Sequence, residues 1–375
     1  MVRGIYGRCP YYITDIVRLL TVKRKNSMDY NYIVIYRFEG ISDNNLDEDK
    51  TVYENETNGI AVILSKDINR HCLKIDTGLA AAGLLLRGMF ADDKLQELPL
   101  AIDAEVRKIQ EERVTKKKTG AYAVIIIKGN AELNINQKLH NETEQFRICF
   151  DAIDKDSLLD QHKEKVYSIV SSLAMTTSPE YHAVREASGL YFVDDNSKPL
   201  YSFTMKGGQI RAIVSKPIDA EKENEISNII TLSTCNQQFK TPYRLFTQSL
   251  ETTQDQLRSF ISGWTSLEIF TNKVFSIYED KFITSIADDH DSHGVNHFLT
   301  RIKDVMKDKY RLTDKFSLIA SFLSEDVETD IESFKSMKSL RDDISHGKEF
   351  NEETLPVEEI RKLTAKYLRG HLLSL

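Results

Sequence analysis

Cysteine is scarce in this chain, and its placement excludes a fold stapled by disulfides. The 375 residues include four cysteines, which are far apart and form no Cys-x-x-Cys pair: Cys9, Cys72, Cys149 and Cys235. A small disulfide framework needs closely and regularly spaced cysteines, which this chain does not have. Isolated thiols of this kind are typical of reduced, mostly buried cysteines in a cytoplasmic protein.

Long hydrophobic runs are also missing. The longest apolar stretch, Gly78–Phe90, is interrupted by Arg87 and is too short to cross a bilayer. Near the N-terminus, Asp15 and several arginines interrupt the apolar residues, so no signal peptide is predicted. We therefore expect a cytoplasmic protein without a membrane partner.

Positive charge is not in excess, and the short motifs that bind phosphate-bearing cofactors are absent. The net charge of −7 argues against broad, charge-driven binding of duplex nucleic acid. It allows a small site that contacts a few phosphates of one strand. No GxxxxGK(S/T) or GxGxxG motif occurs, and Gly207-Gly208 is predicted to be a turn. Neither a cofactor nor a metal is expected.

The first part of the chain, 1–217, is predicted to be a mixed domain with a mostly antiparallel sheet. Short runs rich in Tyr, Ile, Val and Phe predict strands, and helical periodicity predicts helices among them. The strands are Tyr32–Phe38, Gly59–Leu64, Tyr122–Ile127, Phe146–Ile153, Leu190–Val193 and a hairpin of Leu200–Met205 with Gln209–Ser215; the helices are Ala80–Phe90, Ala101–Val114 and Ser157–Ala174. Strands and helices do not alternate regularly enough for a doubly wound sheet, so the predicted fold class is α+β.

After Pro217 the pattern becomes entirely helical. A linker region over 218–240 contains a predicted helix at Asp219–Ser233, and 241–375 is predicted to be an all-α bundle with short connections. The helices of the bundle are Pro242–Ser249, Gln254–Ile283, Gly294–Met306, Thr313–Phe322, Val327–Ser345 and Pro356–Leu373.

The most informative stretch lies in the second to last of these helices, which ends in an arginine, a histidine and a glycine. Gly347 is a natural C-cap for that helix. RNA cleavage needs a cation to hold the phosphate and an imidazole to move protons, and Arg341 and His346 are of the right chemical types. Five positions on an ideal helix correspond to an offset of about 140°, so the spacing permits a shared site without proving one. The alternative is a surface arginine and a histidine that merely stabilises the helix end.

The residues around this motif resemble the HEPN superfamily, specifically the Apea-like HEPN domains of prokaryotic defence and toxin proteins. The resemblance covers about 240–375, and the first two thirds of the chain contribute nothing to it. HEPN ribonucleases share an arginine, a polar residue and a histidine spaced R-x(4–6)-H at the end of a late helix, and Arg341, Asp342 and His346 match that pattern. The segments that carry the resemblance are 245–250, 257–261, 264–268 and Leu340-Arg341-Asp342 through His346-Gly347.

The resemblance implies a metal-independent endoribonuclease that acts on RNA. Arg341 would neutralise the scissile phosphate, His346 would act as general base or acid, and Asp342 would orient either of them. One histidine does not easily play both proton-transfer roles in one step, and HEPN ribonucleases resolve this by dimerising, so a homodimer through the helical bundle is expected. Family context further implies a toxin or anti-phage effector, whose N-terminal domain would respond to a phage-derived or regulatory protein trigger.

Glu268 is the fourth candidate site residue. It lies four positions after Trp264, the only tryptophan of the chain, which is expected to pack in the core. A carboxylate at the margin of a core usually has a cationic partner. That partner is expected to be Arg341 or His346, with a local lysine such as Lys273 as the alternative.

Other interpretations stay open. The bundle is alternatively a non-catalytic dimerisation or RNA- or nucleotide-binding module, or a scaffold for chemistry in the N-terminal domain. The segment 288–297 is rich in metal ligands, but it is better explained as a polar loop between helices.

The nuclease interpretation requires Arg341 and His346 of two chains to converge on one phosphodiester. If the imidazole is buried under apolar packing, or faces bulk solvent on an isolated subunit, the nuclease interpretation fails.

Overall fold

Two compact units make up the chain. A computed structural model describes residues 27–44, 46–86, 97–115, 120–132, 155–193, 199–206, 218–251, 255–289, 301–303, 305 and 309–375. Met1–Lys163 and Val184–Ile218 form the sheet unit, and Glu164–Ala183 and Asp219–Leu375 form the helical unit. The sequence pattern predicts one domain over 1–217, whereas the contacts place Glu164–Ala183, from within that range, in the helical unit.

In the described part of the chain, the sheet has six strands in the order β2-β3-β4-β1-β5-β6. The pairs β1–β4, β2–β3, β3–β4 and β5–β6 are antiparallel, so the predicted α+β class with a mostly antiparallel sheet is confirmed. The strands are β1 (Ser27–Phe38), β2 (Lys50–Asn55), β3 (Ile60–Ser65), β4 (Ala121–Glu132), β5 (Ala183–Val193) and β6 (Pro199–Lys206).

The first half of the chain has three described helices, α1 (Ile68–Leu86), α2 (Leu98–Thr115) and α3 (Lys155–Thr176), the last of which continues into the helical unit. Helix α1 packs on the sheet, and α2 packs on α1. Alternate residues of β1 point to opposite faces, and both sets are buried because each face meets a helix. Ile33 and Ile35 pack with Cys72 of α1, while Tyr32 stacks with His162 of α3 at a ring centroid distance of 6.0 Å.

Most predicted elements of this half lie where expected, with two exceptions among the described residues. Strand β2 was not predicted, and α1 begins at Ile68 instead of Ala80. Strand β6 has β5 as its partner; the second strand of the predicted hairpin, Gln209–Ser215, lies outside the described residues, as does the predicted strand Phe146–Ile153. The Asp67 carboxylate caps α1 by accepting from the backbone N–H of Asn69 at 3.0 Å.

The helical unit is arranged around one long helix. Its helices are α4 (Ala220–Cys235), α5 (Lys240–Glu251), α6 (Gln256–Asp289), α7 (Leu312–Leu323), α8 (Val327–Ser345) and α9 (Val357–Leu373). Helix α6 has 34 residues, which gives it a length of about 50 Å. It contacts α5, α7, α8 and α9. The predicted helix Gly294–Met306 lies largely outside the described residues.

Aromatic side chains form the core between these helices. The rings of Phe316 and Phe334 stack at 4.0 Å, and Trp264 and Tyr367 lie 4.9 and 4.7 Å from this pair. The Tyr367 hydroxyl donates to the buried Asp330 carboxylate at 2.8 Å, so the polar end of that ring is satisfied. Trp264 is 1% exposed, which confirms its predicted place in the core.

Candidate functional site

Helix α8 ends at the predicted position and with the predicted geometry. His346 is its C-cap residue, and Gly347 follows with φ +73°, the left-handed conformation that glycine adopts without strain. The backbone N–H of Gly347 donates to the carbonyl of Ile344, and that of Lys348 to the carbonyl of Asp343, both at 3.0 Å. These are the two bonds of a Schellman motif, so the chain leaves the helix in a fixed direction directly after His346.

Arg341 is held against α6 through its charge and through its flat face. Its Nη2 atom donates to Oε1 and Oε2 of Glu268 at 3.2 and 3.3 Å, and its guanidinium lies 5.4 Å from the centre of the Trp264 ring. Trp264 Nε1 donates to Glu268 Oε2 at 3.1 Å, which fixes the carboxylate. The predicted ion pair of Glu268 with Arg341, one of the alternatives left open by the sequence, is therefore confirmed.

Asp342 completes this polar network on the side of α8. Its Oδ1 atom lies 3.0 Å from Nη1 of Arg341, and its Oδ2 atom accepts from Lys338 Nζ at 2.6 Å. The Lys338 hydrogen bond is the largest cause that lowers the pKa of Asp342; partial burial opposes it, and Arg341 and His346 add to it. Asp342 is therefore a carboxylate at neutral pH, and it forms an ion pair with Arg341.

The charges of this network balance one another. Two cations, Arg341 and Lys338, face two carboxylates, Glu268 and Asp342. The Arg341 side chain is 25% exposed, and its Nε atom is buried without a hydrogen-bond partner in the described part of the chain. A phosphate that binds here must compete with carboxylates for the Nη atoms, which lowers the electrostatic gain of binding.

His346 lies at the rim of the network and not within it. Its side chain is exposed and makes no hydrogen bond to any described residue, although it is near enough to Asp342 to lower the pKa of that carboxyl. The structure thus brings Arg341, Asp342 and Glu268 together and leaves His346 facing solvent on a single chain. This exposure counts against a nuclease site that is complete in one subunit.

Two members of the network were not among the predicted site residues. Lys338 precedes Asp342 by four positions on one helix, a spacing that signals an ion pair. The indole donor of Trp264 was expected only to pack, although a buried Trp N–H usually finds an acceptor, and Glu268 lies four positions later on the same helix. Both contacts could have been found from helical spacing.

Among the described residues, no cluster of three or more His, Cys, Asp or Glu side chains is arranged to hold a metal ion, and most of segment 288–297 lies outside them. No helix in the same part of the chain is long and apolar enough to cross a membrane.

Comparisons with models of protein families, with curated proteins and with solved structures found no match for this chain. The resemblance to HEPN domains therefore rests on the residues quoted above.

Proposed function

We propose that this protein is a metal-independent endoribonuclease of the HEPN type. The observation that carries the proposal is the fixed guanidinium of Arg341 near the end of α8, five positions before His346 at the helix terminus. Glu268 and Asp342 hold Arg341 in one orientation, which a phosphate-binding group needs if it is to act without reorganisation.

In the proposed reaction the 2'-hydroxyl of the RNA attacks the adjacent phosphorus. His346 takes the proton of that hydroxyl as general base, or protonates the leaving 5'-oxygen as general acid. Arg341 neutralises the charge that develops on the phosphate. The P–O bond to the 5'-oxygen breaks, which leaves a 2',3'-cyclic phosphate and a 5'-hydroxyl. The nucleophile belongs to the substrate, so the proposal needs no metal or cofactor.

A second copy of the chain is part of the proposal. His346 faces solvent on one subunit, and one imidazole does not readily serve as acid and base in a single step. A two-fold homodimer through the helical unit would bring two Arg341/His346 pairs to one groove and cover both imidazoles. If the protein is a monomer when it is active, this proposal fails.

The sheet unit would then restrain or direct the nuclease. An active ribonuclease in the cytoplasm has to be controlled, and we propose that the sheet unit responds to a phage-derived or regulatory protein trigger. The corresponding biological role is that of a toxin or anti-phage effector.

One observation favours a second candidate, a non-catalytic HEPN module for dimerisation or RNA binding. Both Nη atoms of Arg341 already contact carboxylates of the same chain, and the charges of the network cancel. An arginine that only joins α8 to α6 would look the same in one subunit. The two candidates differ in whether RNA is cut.

The deciding experiment compares wild type with Arg341→Ala and His346→Ala for growth arrest and for cleavage of total RNA in EDTA. Lys335→Ala, which removes an exposed cation from the same helix, is the matched control. Cleavage and toxicity that vanish in the first two variants and persist in the third support the nuclease. RNA binding without cleavage supports the non-catalytic module.

Two further results would oppose the proposal. A metal-dependent activity that is indifferent to both substitutions would assign the chemistry to another part of the chain. A cleavage rate that is flat between about pH 5 and 8 would exclude histidine as the proton carrier.

A further inference from the structure

The face of α6 that holds Arg341 also holds a second cation, one helical turn farther along. The ammonium of Lys315, on α7, donates to the side-chain oxygen of Asn272 at 2.9 Å. Asn272 follows Glu268, the partner of Arg341, by four positions, and side chains at that spacing on a helix are neighbours about 5–6 Å apart. Two cations from two different helices are therefore held side by side along α6.

The helices that carry these two cations pack on each other. Helix α7 contacts α8, and both contact α6. Phe316, the residue after Lys315, stacks on Phe334 at 4.0 Å, and Phe334 lies about two turns before Arg341 on α8. The positions of Lys315 and Arg341 are thus set by the same aromatic core.

Lys315 differs from the cations of the Arg341 network in its charge balance. Arg341 and Lys338 both pair with carboxylates, whereas Lys315 has no carboxylate partner within the described part of the chain. The carboxylate of the preceding residue, Asp314, accepts from the backbone N–H of Arg311 at 3.0 Å as the cap of α7. The positive charge of Lys315 is therefore available to an anionic ligand.

Neutral groups hold the Lys315 ammonium in place. It lies 5.5 Å from the centre of the Phe275 ring, whose face attracts a cation. The Asn272 amide nitrogen donates to the backbone carbonyl of Glu268 at 3.0 Å, which orients the amide oxygen that accepts from Lys315. The bond between Lys315 and Asn272 lies at the exposed surface. A cation that is fixed and accessible before its ligand arrives loses little conformational freedom on binding.

We propose that Lys315 binds a phosphate of the RNA next to the phosphate at Arg341. The inference rests on the ribonuclease proposal and adds a second contact to the same substrate. Lysine and asparagine are common ligands of the nucleic-acid backbone, and such contacts set the register of a strand without reading its sequence. Carboxylates of the same chain offset the charge of Arg341, so Lys315 supplies electrostatic attraction that the Arg341 network lacks.

Fluorescence anisotropy of a short, fluorescein-labelled single strand of 2'-O-methyl RNA tests the proposal. This strand has no 2'-hydroxyl nucleophile, so it stays intact and the wild-type full chain can be titrated at several salt concentrations. Lys315→Gln removes the charge and keeps a hydrogen-bond donor, while Lys315→Arg keeps the charge.

Lys281→Gln is the matched control. Lys281 is an exposed lysine whose ammonium lies 5.1 Å from the centre of the Tyr278 ring, an environment similar to that of Lys315. It lies about 20 Å from Glu268 along α6, which is too far to share the phosphates at Arg341.

We expect Lys315→Gln to weaken binding about three- to tenfold at low salt. The slope of log affinity against log salt should decrease in magnitude by about 0.7, the value for one phosphate contact to a single strand. Lys315→Arg should keep the slope of wild type, and Lys281→Gln should bind like wild type. Equal affinity of Lys315→Gln and wild type, or an equal loss in Lys281→Gln, would overturn the proposal.

Cleavage of unmodified RNA by the same proteins separates this inference from the ribonuclease proposal. Loss of affinity in Lys315→Gln, without cleavage by wild type, would refute the nuclease and retain the phosphate contact. Cleavage by wild type, with Lys315→Gln binding normally, would refute the phosphate contact alone. Absence of binding by wild type would also overturn the phosphate contact.

Discussion

Arg341 and Glu268 are separated by 73 positions in the chain and form one contact between the helices α8 and α6, at 3.2 and 3.3 Å. Three side chains take part in the contact, since the Trp264 indole N–H donates to the Glu268 carboxylate and the indole ring lies against the Arg341 guanidinium. A residue that would bind a phosphate is therefore also part of the packing of the helical unit, and the two roles can be separated by measurement.

The stability contributed by this pair should be modest. Arg341 and Glu268 are 25% and 33% exposed, and ion pairs in such positions contribute up to about 1 kcal/mol to the free energy of unfolding. A double-mutant cycle of Arg341→Gln and Glu268→Gln should therefore give a coupling energy of about 0.5–1 kcal/mol that decreases at high salt. Urea unfolding followed by circular dichroism provides the measurement.

The matched control for this cycle is the pair of Lys348 and Asp343, which are 66% and 42% exposed. Its coupling energy should be indistinguishable from zero. Equal coupling in the two cycles would mean that the Trp264 face and the partial burial add nothing to the Arg341 contact.

The left-handed conformation of Gly347 should affect the free energy of unfolding about as much as the ion pair does. Its φ of +73° disfavours any residue with a Cβ atom, although no atom lies within 4 Å of the place where that Cβ would be. Gly347→Ala should therefore lower the free energy of unfolding by about 1 kcal/mol through backbone strain alone. Gly370→Ala, inside α9 and with a Cβ that would lie in ordinary van der Waals contact with Leu323 at 3.8 Å, should raise it by about 0.5–1 kcal/mol. Thermal unfolding of both variants distinguishes backbone strain from loss of contacts. Equal changes in stability for Gly347→Ala and Gly370→Ala would refute the explanation by strain.

Stability of the helical unit should fall in mild acid because of His371. Burial, and to a lesser extent the charge of Lys281, lowers the pKa of this histidine from 6.5 to about 4. The unfolded imidazole then takes up a proton at a higher pH than the folded one. The neutral His371 therefore makes its full contribution to the free energy of unfolding above pH 6.5. That contribution, up to about 3 kcal/mol, is lost as the pH falls toward about 4.

His371→Gln should remove this part of the pH dependence, whatever it does to stability at neutral pH. Urea unfolding at several pH values, followed by the fluorescence of Trp264, reports on the helical unit because the chain has no other tryptophan. An unchanged slope of stability against pH in the variant would show that other groups are responsible.

The described cysteines should differ sharply in reactivity. Burial is the largest cause that raises the pKa of Cys72 to about 12, while Arg113 opposes the shift, and the side chain is fully buried. Cys235 is exposed. Iodoacetamide at neutral pH should alkylate Cys235 in the native protein and reach Cys72 only after unfolding. Peptide mass spectrometry gives the order, and equal rates in the native state would contradict the burial of Cys72.

The local sequence pattern was enough to predict most of the helices in the helical unit. The bounds of α8 were predicted correctly because apolar periodicity and a C-cap glycine are both local signals. The contact of Glu268 with Arg341 was predicted as one of several alternatives, since a carboxylate at a core margin needs a cation. Sequence alone could not choose among them, because the choice depends on how α6 and α8 pack.

Features that depend on distant partners were missed. Arg37 is fully buried in the sheet unit, and its Nε atom donates to Glu186, 149 positions away, at 2.8 Å. Strand β2 consists of Lys, Thr, Val, Tyr, Glu and Asn, of which only the three residues Thr-Val-Tyr favour a strand, and it pairs with β3. The side of the sheet that a helix covers is likewise set by the whole fold.

Glu164–Ala183 supplies groups that the interior of the helical unit uses. The Ser171 hydroxyl bonds to the carbonyl of Tyr243 at 3.0 Å and to the hydroxyl of Thr247 at 3.1 Å, and Ser172 bonds to Ser233 at 2.7 Å. A polypeptide that starts at Asp219 would lack the Ser171 and Ser172 hydroxyls together with the rest of 164–183. We therefore expect the helical unit to fold by itself only if 164–183 is joined to 219–375 by a new linker.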